Sequence, residues 1–381
     1  MCRHASARGL RAALMLPMVG AFGAGVVLVA HAADGAAGEV AWHLRGEGQG
    51  TPVAAASSVY FLTKRHEVIA VDAARGAIRW RRPTGSTGST TVGSSLIVSD
   101  QLLIAGDYDL FAINREDGAS VWRFVAADGY GPGLYLGDAA RGLIFTGSPS
   151  GRIYAVDQKS GRLRWASAVT DQPKTTVFEP AADQAGVFAG YTTFSAPNTG
   201  GIVAVDIETG RRRWRTAFPD RSQSAPSGFA GGLVLIDDLV VGASGDGTIF
   251  GLDEANGAIR WSIPPINAAS RRPDFRALAR WGNHLIAGSL SGVLASYDVQ
   301  TQRERWRLPA GYNGSIGFTI VADAQFVYVP YLSGQLVAID ADTGIERWRV
   351  GGGHARLPWA PYASGDRVFA SGSSGFFSFH R

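Results

Sequence analysis

Side chains able to do chemistry are few in this chain and are badly placed for it. Beyond residue 32 the His residues are His43, His66, His284, His354 and His380, and no two stand at a metal-ligand spacing. The single Cys is Cys2, so the rest of the chain has no thiol nucleophile, disulfide or Cys metal site. Neither G-x-S-x-G nor G-x-G-x-x-G follows the N-terminal segment, and Gly129-Tyr130-Gly131-Pro132-Gly133 stops short of a phosphate loop. What does recur at fixed spacing is an Asp, a Gly four residues on and a Trp four residues after that. Its chemistry is that of a turn and an anchor. The Asp carboxylate closes a turn on backbone N–H groups, the Gly supplies a positive φ, and the Trp buries roughly 150–250 Å².

The unit stands at Asp72/Gly76/Trp80, Asp157/Gly161/Trp165, Asp206/Gly210/Trp214, Asp253/Gly257/Trp261 and Asp340/Gly344/Trp348. Asn114/Gly118/Trp122 replaces the Asp, and Asp298/Gln302/Trp306 replaces the Gly. An eighth copy, Asp34/Gly38/Trp42, has no repeat body before it. Successive Trp are 38, 42, 43, 49, 47, 45 and 42 residues apart, counted from Trp42. Alternating runs such as Ile153-Tyr154-Ala155-Val156 precede the Asp, and a second short run carries the Trp. Both read as strands, and a strand-only unit at this period reads as a propeller blade.

Four strands fill each unit. In the third they are expected at 131–137, 143–148, 152–157 and 162–167, and in the seventh at 315–322, 326–331, 335–340 and 345–350. The chain ends on Gly375-Phe376-Phe377-Ser378-Phe379-His380-Arg381, which aligns with a third strand, so the last unit lacks its fourth. Glu39 to Leu44 is the strand left over at the other end. The predicted fold is therefore all-β: an eight-bladed β-propeller of four-stranded blades, residues 33–381, whose last blade is closed by the N-terminal strand.

Residues 1–32 read as a targeting segment. Arg3, Arg8 and Arg11 precede an apolar stretch from Ala12 to Ala30, and Ala30-His31-Ala32 is a cleavage site. No Arg-Arg pair is present, so the Sec route to the periplasm is expected; retention of the stretch as an anchor is the alternative. Of 36 Lys and Arg against 32 Asp and Glu, three Arg lie in this segment. The remainder is nearly neutral and gives no ground for nucleic-acid binding; the run Arg211-Arg212-Arg213-Trp214-Arg215 reads as a solvated strand face.

The units Ile339-Asp340-Ala341-Asp342-Thr343-Gly344-Ile345-Glu346-Arg347-Trp348 and Val205-Asp206-Ile207-Glu208-Thr209-Gly210-Arg211-Arg212-Arg213-Trp214 resemble the tryptophan-docking motif of the PQQ-like repeat propellers. The resemblance covers residues 34–381, and within that group the chain is most similar to the BamB-type scaffolds of the outer-membrane β-barrel assembly machinery. It implies a non-enzymatic, monomeric subunit that docks envelope proteins, the β-barrel assembly complex among them, with no cofactor. It also implies a lipoprotein Cys directly after the apolar stretch. Cys2 precedes that stretch, so this chain is not expected to be a lipoprotein. The alternative within the same superfamily is a quinoprotein with pyrroloquinoline quinone and Ca²⁺ in the central funnel, either a dehydrogenase or a sensor. Such enzymes carry a pair of adjacent Cys that is missing here. By position Glu179, on the innermost strand of blade 4, and Arg276, on that of blade 6, are the candidate funnel residues. Blades 4 to 6 also carry the longest connections, in which Phe194, Ile266 and Arg271 are the candidate partner contacts.

Overall fold

A computed structural model of the chain describes residues 35–85, 95–127, 133–195, 199–218, 228–229, 232–265, 275–309, 314–317, 319–352, 357 and 359–381. Residues 1–34, which hold the expected targeting segment, lie outside these, as do Ile266 and Arg271. Every regular element among the described residues is a strand. Eight sheets follow one another along the chain, each an antiparallel meander of four strands, and together they form the blades of a propeller. Blade 3 shows the pattern: Tyr135–Ala140, Leu143–Gly147, Arg152–Asp157 and Leu163–Ala168, hydrogen-bonded in that order.

The ring closes as the sequence predicts. Blade 8 is built from Tyr362–Ser364, Arg367–Gly372 and Gly375–His380, and its fourth strand is Val40–Arg45 from the other end of the chain. Val40 pairs with Phe379 and Arg45 with Gly375. The Gly38 N–H adds a bond to the His380 carbonyl at 2.8 Å. Without this strand, the row of N–H and C=O groups on Gly375–His380 would be an open sheet edge.

Burial explains why these sequences form blades. The middle strands are apolar and buried throughout, as in Ser58–Thr63 and Leu239–Ala243. Such strands face protein on both sides, so their sequences run apolar instead of alternating. Outer strands face protein on one side only and alternate, as Arg212–Ala217 does around the buried Trp214. The apolar side chains gather into eight clusters, each spanning two neighbouring blades. One joins Trp42 to Phe61, Ile69 and Phe376, so the closure is a packed core as well as a ladder.

Two first strands depart from expectation. In blade 3 the strand starts at Tyr135, after Gly133 at φ 86°, and runs on to a two-residue turn where Arg141 and Gly142 both have positive φ. In blade 7 only Val321–Ala322 forms a strand, with an isolated bridge from Ile316 to Tyr331. Blade 4 has an irregularity of its own. Its innermost strand is split into Thr175–Val177 and Ala181–Ala182, both paired with Val187–Thr193. Glu179 and Pro180 occupy the gap, where proline has no N–H to give the ladder.

Candidate functional site

The repeat residues make a docking joint between neighbouring blades. Asp206 shows the turn: its Oδ1 accepts from the N–H of Glu208 at 3.2 Å and of Thr209 at 2.9 Å. Gly161, at φ 68°, lies flat on the indole of Trp122 from the blade before, and a Cβ there would come within 2.6 Å of the ring. That indole donates its Nε1–H to the carbonyl of Gln158, the residue after the Asp, at 3.0 Å. Trp42, Trp80, Trp165, Trp214 and Trp306 do the same to Ala73, Arg115, Ile207, Glu254 and Ala341. Trp348 packs on Gly38, with its Nε1 unpaired among the described residues.

The joint between blades 5 and 6 is different. Gln302 stands where the Gly should be, at φ 56°, and its Nε2 donates to the carbonyls of Val299 at 3.1 Å and Gln300 at 2.7 Å. Val299 follows Asp298, so Gln302 has taken the acceptor that Trp261 would use. Trp261 lies instead across Gly251 of its own blade, with its Nε1 unsatisfied. The next joint carries an additional tie: Trp281 donates to the Ala324 carbonyl at 3.2 Å, with the Arg305 guanidinium over its ring.

Charge on the perimeter is paired. Arg79 meets Asp72 and Arg347 meets Asp340, at 2.8 and 2.7 Å, and Arg260 meets Asp253. The Arg347 and Thr343 hydrogen bonds pull the Asp340 carboxyl down to about 2.

The channel at the centre of the ring is built otherwise. Glu179 projects from the gap in blade 4, deeply enclosed yet still reached by solvent. Burial pushes its carboxyl above the usual range, and among the described residues the hydrogen bond opposing that shift comes from its own backbone N–H. The blade 3 strand passes alongside. There the Asp138 N–H donates to the Pro180 carbonyl at 2.9 Å, and Asp138 Oδ2 accepts from the Ala182 N–H at 3.0 Å. Gly137 permits that approach, since a Cβ there would lie 2.0 Å from the Pro180 oxygen. Burial raises the Asp138 carboxyl as well, against the bond from Ala182. It raises the Tyr135 hydroxyl too, with the Glu179 charge adding to the effect. Arg276 falls on the innermost strand of blade 6, Phe275–Trp281.

Strands 2 and 4 of a meander end on the same face of the ring, and that face carries Phe194. This residue follows the second strand of blade 4 and is 52% exposed. Its backbone is held from both sides: the Phe194 N–H donates to the Lys174 carbonyl at 2.9 Å, and Ser195 Oγ to that of Pro173 at 3.1 Å. Val125, past the fourth strand of blade 2, and Leu332, past the second strand of blade 7, are exposed on the same face. No local pattern in the sequence marks either residue. The face also holds a buried His66–Asp107–Thr84 contact between blades 1 and 2, with both His66 Nδ1 and Thr84 Oγ1 2.8 Å from Asp107 Oδ2. The carboxylate sits between the other two, so the Thr hydroxyl donates to Asp107 and not to the imidazole, which is not the order of a hydroxyl–His–Asp relay; the cluster ties two blades together.

Known proteins place the chain. The family model described as outer membrane protein assembly factor BamB matches residues 25–263, 150–315 and 290–378, which takes in most of the sequence. The chain belongs to that family. The BamB of Bordetella pertussis is 31% identical over 147 residues, or 37% of this chain and 34% of that protein, so the chain spans about a third of that curated relative. Among solved structures, BamB from Moraxella catarrhalis has a TM-score of 0.65 at 17% identity, over 89% of this chain and 96% of that one. A quinohemoprotein alcohol dehydrogenase from Comamonas testosteroni also has a TM-score of 0.65, at 15% identity over 90% of this chain and 76% of that one. Identities this low bear on the fold alone.

A quinone cofactor would make particular demands on the channel of this BamB-family chain. Pyrroloquinoline quinone is a polycarboxylate and calls for cations. The described channel offers two carboxylates, Asp138 and Glu179, and one guanidinium, Arg280, which already donates to two backbone carbonyls, and no group of three or more His, Cys, Asp or Glu among the described residues could hold a metal. These residues do not fit the cofactor. No helix among the described residues is long and apolar enough to cross a membrane.

Proposed function

We propose that the chain is a periplasmic scaffold of outer-membrane protein assembly that docks protein partners, the β-barrel assembly complex among them, through the face bearing Phe194. The family match across nearly the whole chain carries this reading. The choice of face is supported by Phe194, since an aromatic ring exposed on a backbone pinned at Lys174 and Pro173 can enter a partner's pocket with little ordering cost. Ile266 and Arg271 belong to the same proposed contact. The segment 1–32 delivers the chain through the Sec pathway and is removed after Ala32, leaving a soluble subunit.

The test is capture of tagged protein from a cross-linked envelope extract. Recovery of barrel-assembly components with the wild type, and a clear loss with Phe194→Ala at unchanged thermal midpoint, is the expected result. Capture of envelope proteins that never include those components would refute the specific role. Equal recovery with the variant would move the docking face elsewhere. N-terminal sequencing of the exported protein is expected to begin at Ala33.

A further inference from the structure

At the mouth of the channel the inner strands of blades 3 to 7 line an open depression of about 490 Å³. Ala182, Leu235, Leu278 and Val321 contribute an apolar wall, and Asp138 and Arg280 are among its charged groups. That size is ordinary for a small-ligand site. Asp138 is exposed to solvent; one of its oxygens is occupied by the Ala182 N–H, and the other has no partner among the described residues. Asp183, also at the rim, spends its Oδ1 on the N–H groups of Ala185 and Gly186. Arg280 does not neutralise Asp138, since its Nε and Nη1 donate to the carbonyls of Gly282 and Leu235 and its nearest carboxylate is Asp237 at 3.7 Å. Glu179 stands two residues along the chain from the Ala181 of the lining, half-buried and with no ion pair to a cation among the described residues.

We infer that this mouth binds an alkylammonium group, with Asp138 and Glu179 receiving the charge and the inner-strand residues of blades 5 to 7 receiving the hydrocarbon. A carboxylate crowded by protein and left without a countercharge is held less favourably than a paired one, and a ligand that brings both a cation and apolar surface supplies the countercharge and covers the apolar wall at once. A hard divalent ion would instead ask for six or more oxygens, which the lining does not offer. The alkylammonium can come from a free amine or from a Lys side chain on an extended peptide. The inference does not depend on the docking face, which lies at the opposite ends of the strands.

The experiment is calorimetric titration of the purified protein near pH 7 with n-hexylammonium chloride, n-hexanol and the peptide acetyl-Ala-Leu-Lys-Leu-Ala-amide, repeated on Asp138→Asn, Glu179→Gln and the double variant. Saturable binding of at least one charged probe is expected, with n-hexanol weaker by about tenfold or more and each single variant weaker by about tenfold. Hexylammonium binding points to a free amine, and peptide binding alone points to a Lys side chain. Failure of both charged probes on the wild type overturns the inference, and so does unchanged affinity in the double variant. Should a variant fold poorly, the wild-type thermal midpoint decides: hexylammonium or the peptide must raise it and n-hexanol must not.

Discussion

Asp340 and Glu179 are both carboxylates in one ring, and the protein treats them oppositely. At the perimeter Asp340 is held by Arg347 and Thr343 and drawn down to about 2. In the channel Glu179 is desolvated, has no ion pair to a cation among the described residues, and is pushed upward. The first lowers the energy of the folded state at neutral pH; the second raises it. Stability is thus made at the rim, by capped turns, ion pairs and docked indoles, while the centre keeps charges that the fold itself does not use. A blade can carry such a cost because its rim repeats the same joint from unit to unit.

The largest break in this contrast should come from the ring closure. Deleting residues 35–44 removes Trp42 and opens the Gly375–His380 edge, so unfolding should be easier by at least the ~3–5 kcal/mol of a buried Trp; denaturant unfolding measures it. Next come single docks. Trp214→Ala should cost about 3–5 kcal/mol, and Trp261→Ala clearly less, because Trp261 lacks the inter-blade bond. Equal losses would mean that Gln302 has not broken that joint. Gln302→Gly should act the other way and stabilise by about 1 kcal/mol, relieving a positive-φ side chain and freeing the Val299 carbonyl for Trp261. Asp340→Asn sits lowest, at about 1 kcal/mol or less once solvent screening is allowed for. Its loss should be present above pH 4 and fade as pH falls toward 2, where the wild-type carboxylate takes up its own proton.

Much of the rim was legible in the sequence because each joint is local. Asp72 with Gly76, and Trp80 at the head of the next dock, stand a few residues apart and repeat, so their types and spacing announce the turn and the blade. The N-terminal strand was legible for the same reason: Trp42 was a repeat residue without a repeat. The channel was legible only as a position. Glu179 could be placed on an inner strand, but its enclosure depends on Pro180 interrupting that strand and on Gly137 approaching from another blade. The pairing of His66 with Asp107 joins residues 41 apart across two blades, and no local pattern marks it. Phe194 was visible as an apolar residue in a long polar connection. Val125 and Leu332 sit beside ordinary strand ends, where nothing in the sequence separates an exposed side chain from a buried one.

The central claim is that the channel carboxylates cost stability that the perimeter supplies. A carboxyl raised in the folded state binds its proton more tightly there, so its cost is present above that raised value and disappears as pH falls below the ordinary Glu range. The most direct measurement is denaturant unfolding of the wild type and the Asp138→Asn/Glu179→Gln variant from pH 3 to pH 8. The variant should be the more stable protein at pH 7, with an advantage that shrinks to nothing below about pH 4. A variant less stable than the wild type at pH 7, or an advantage that does not change with pH, would contradict it.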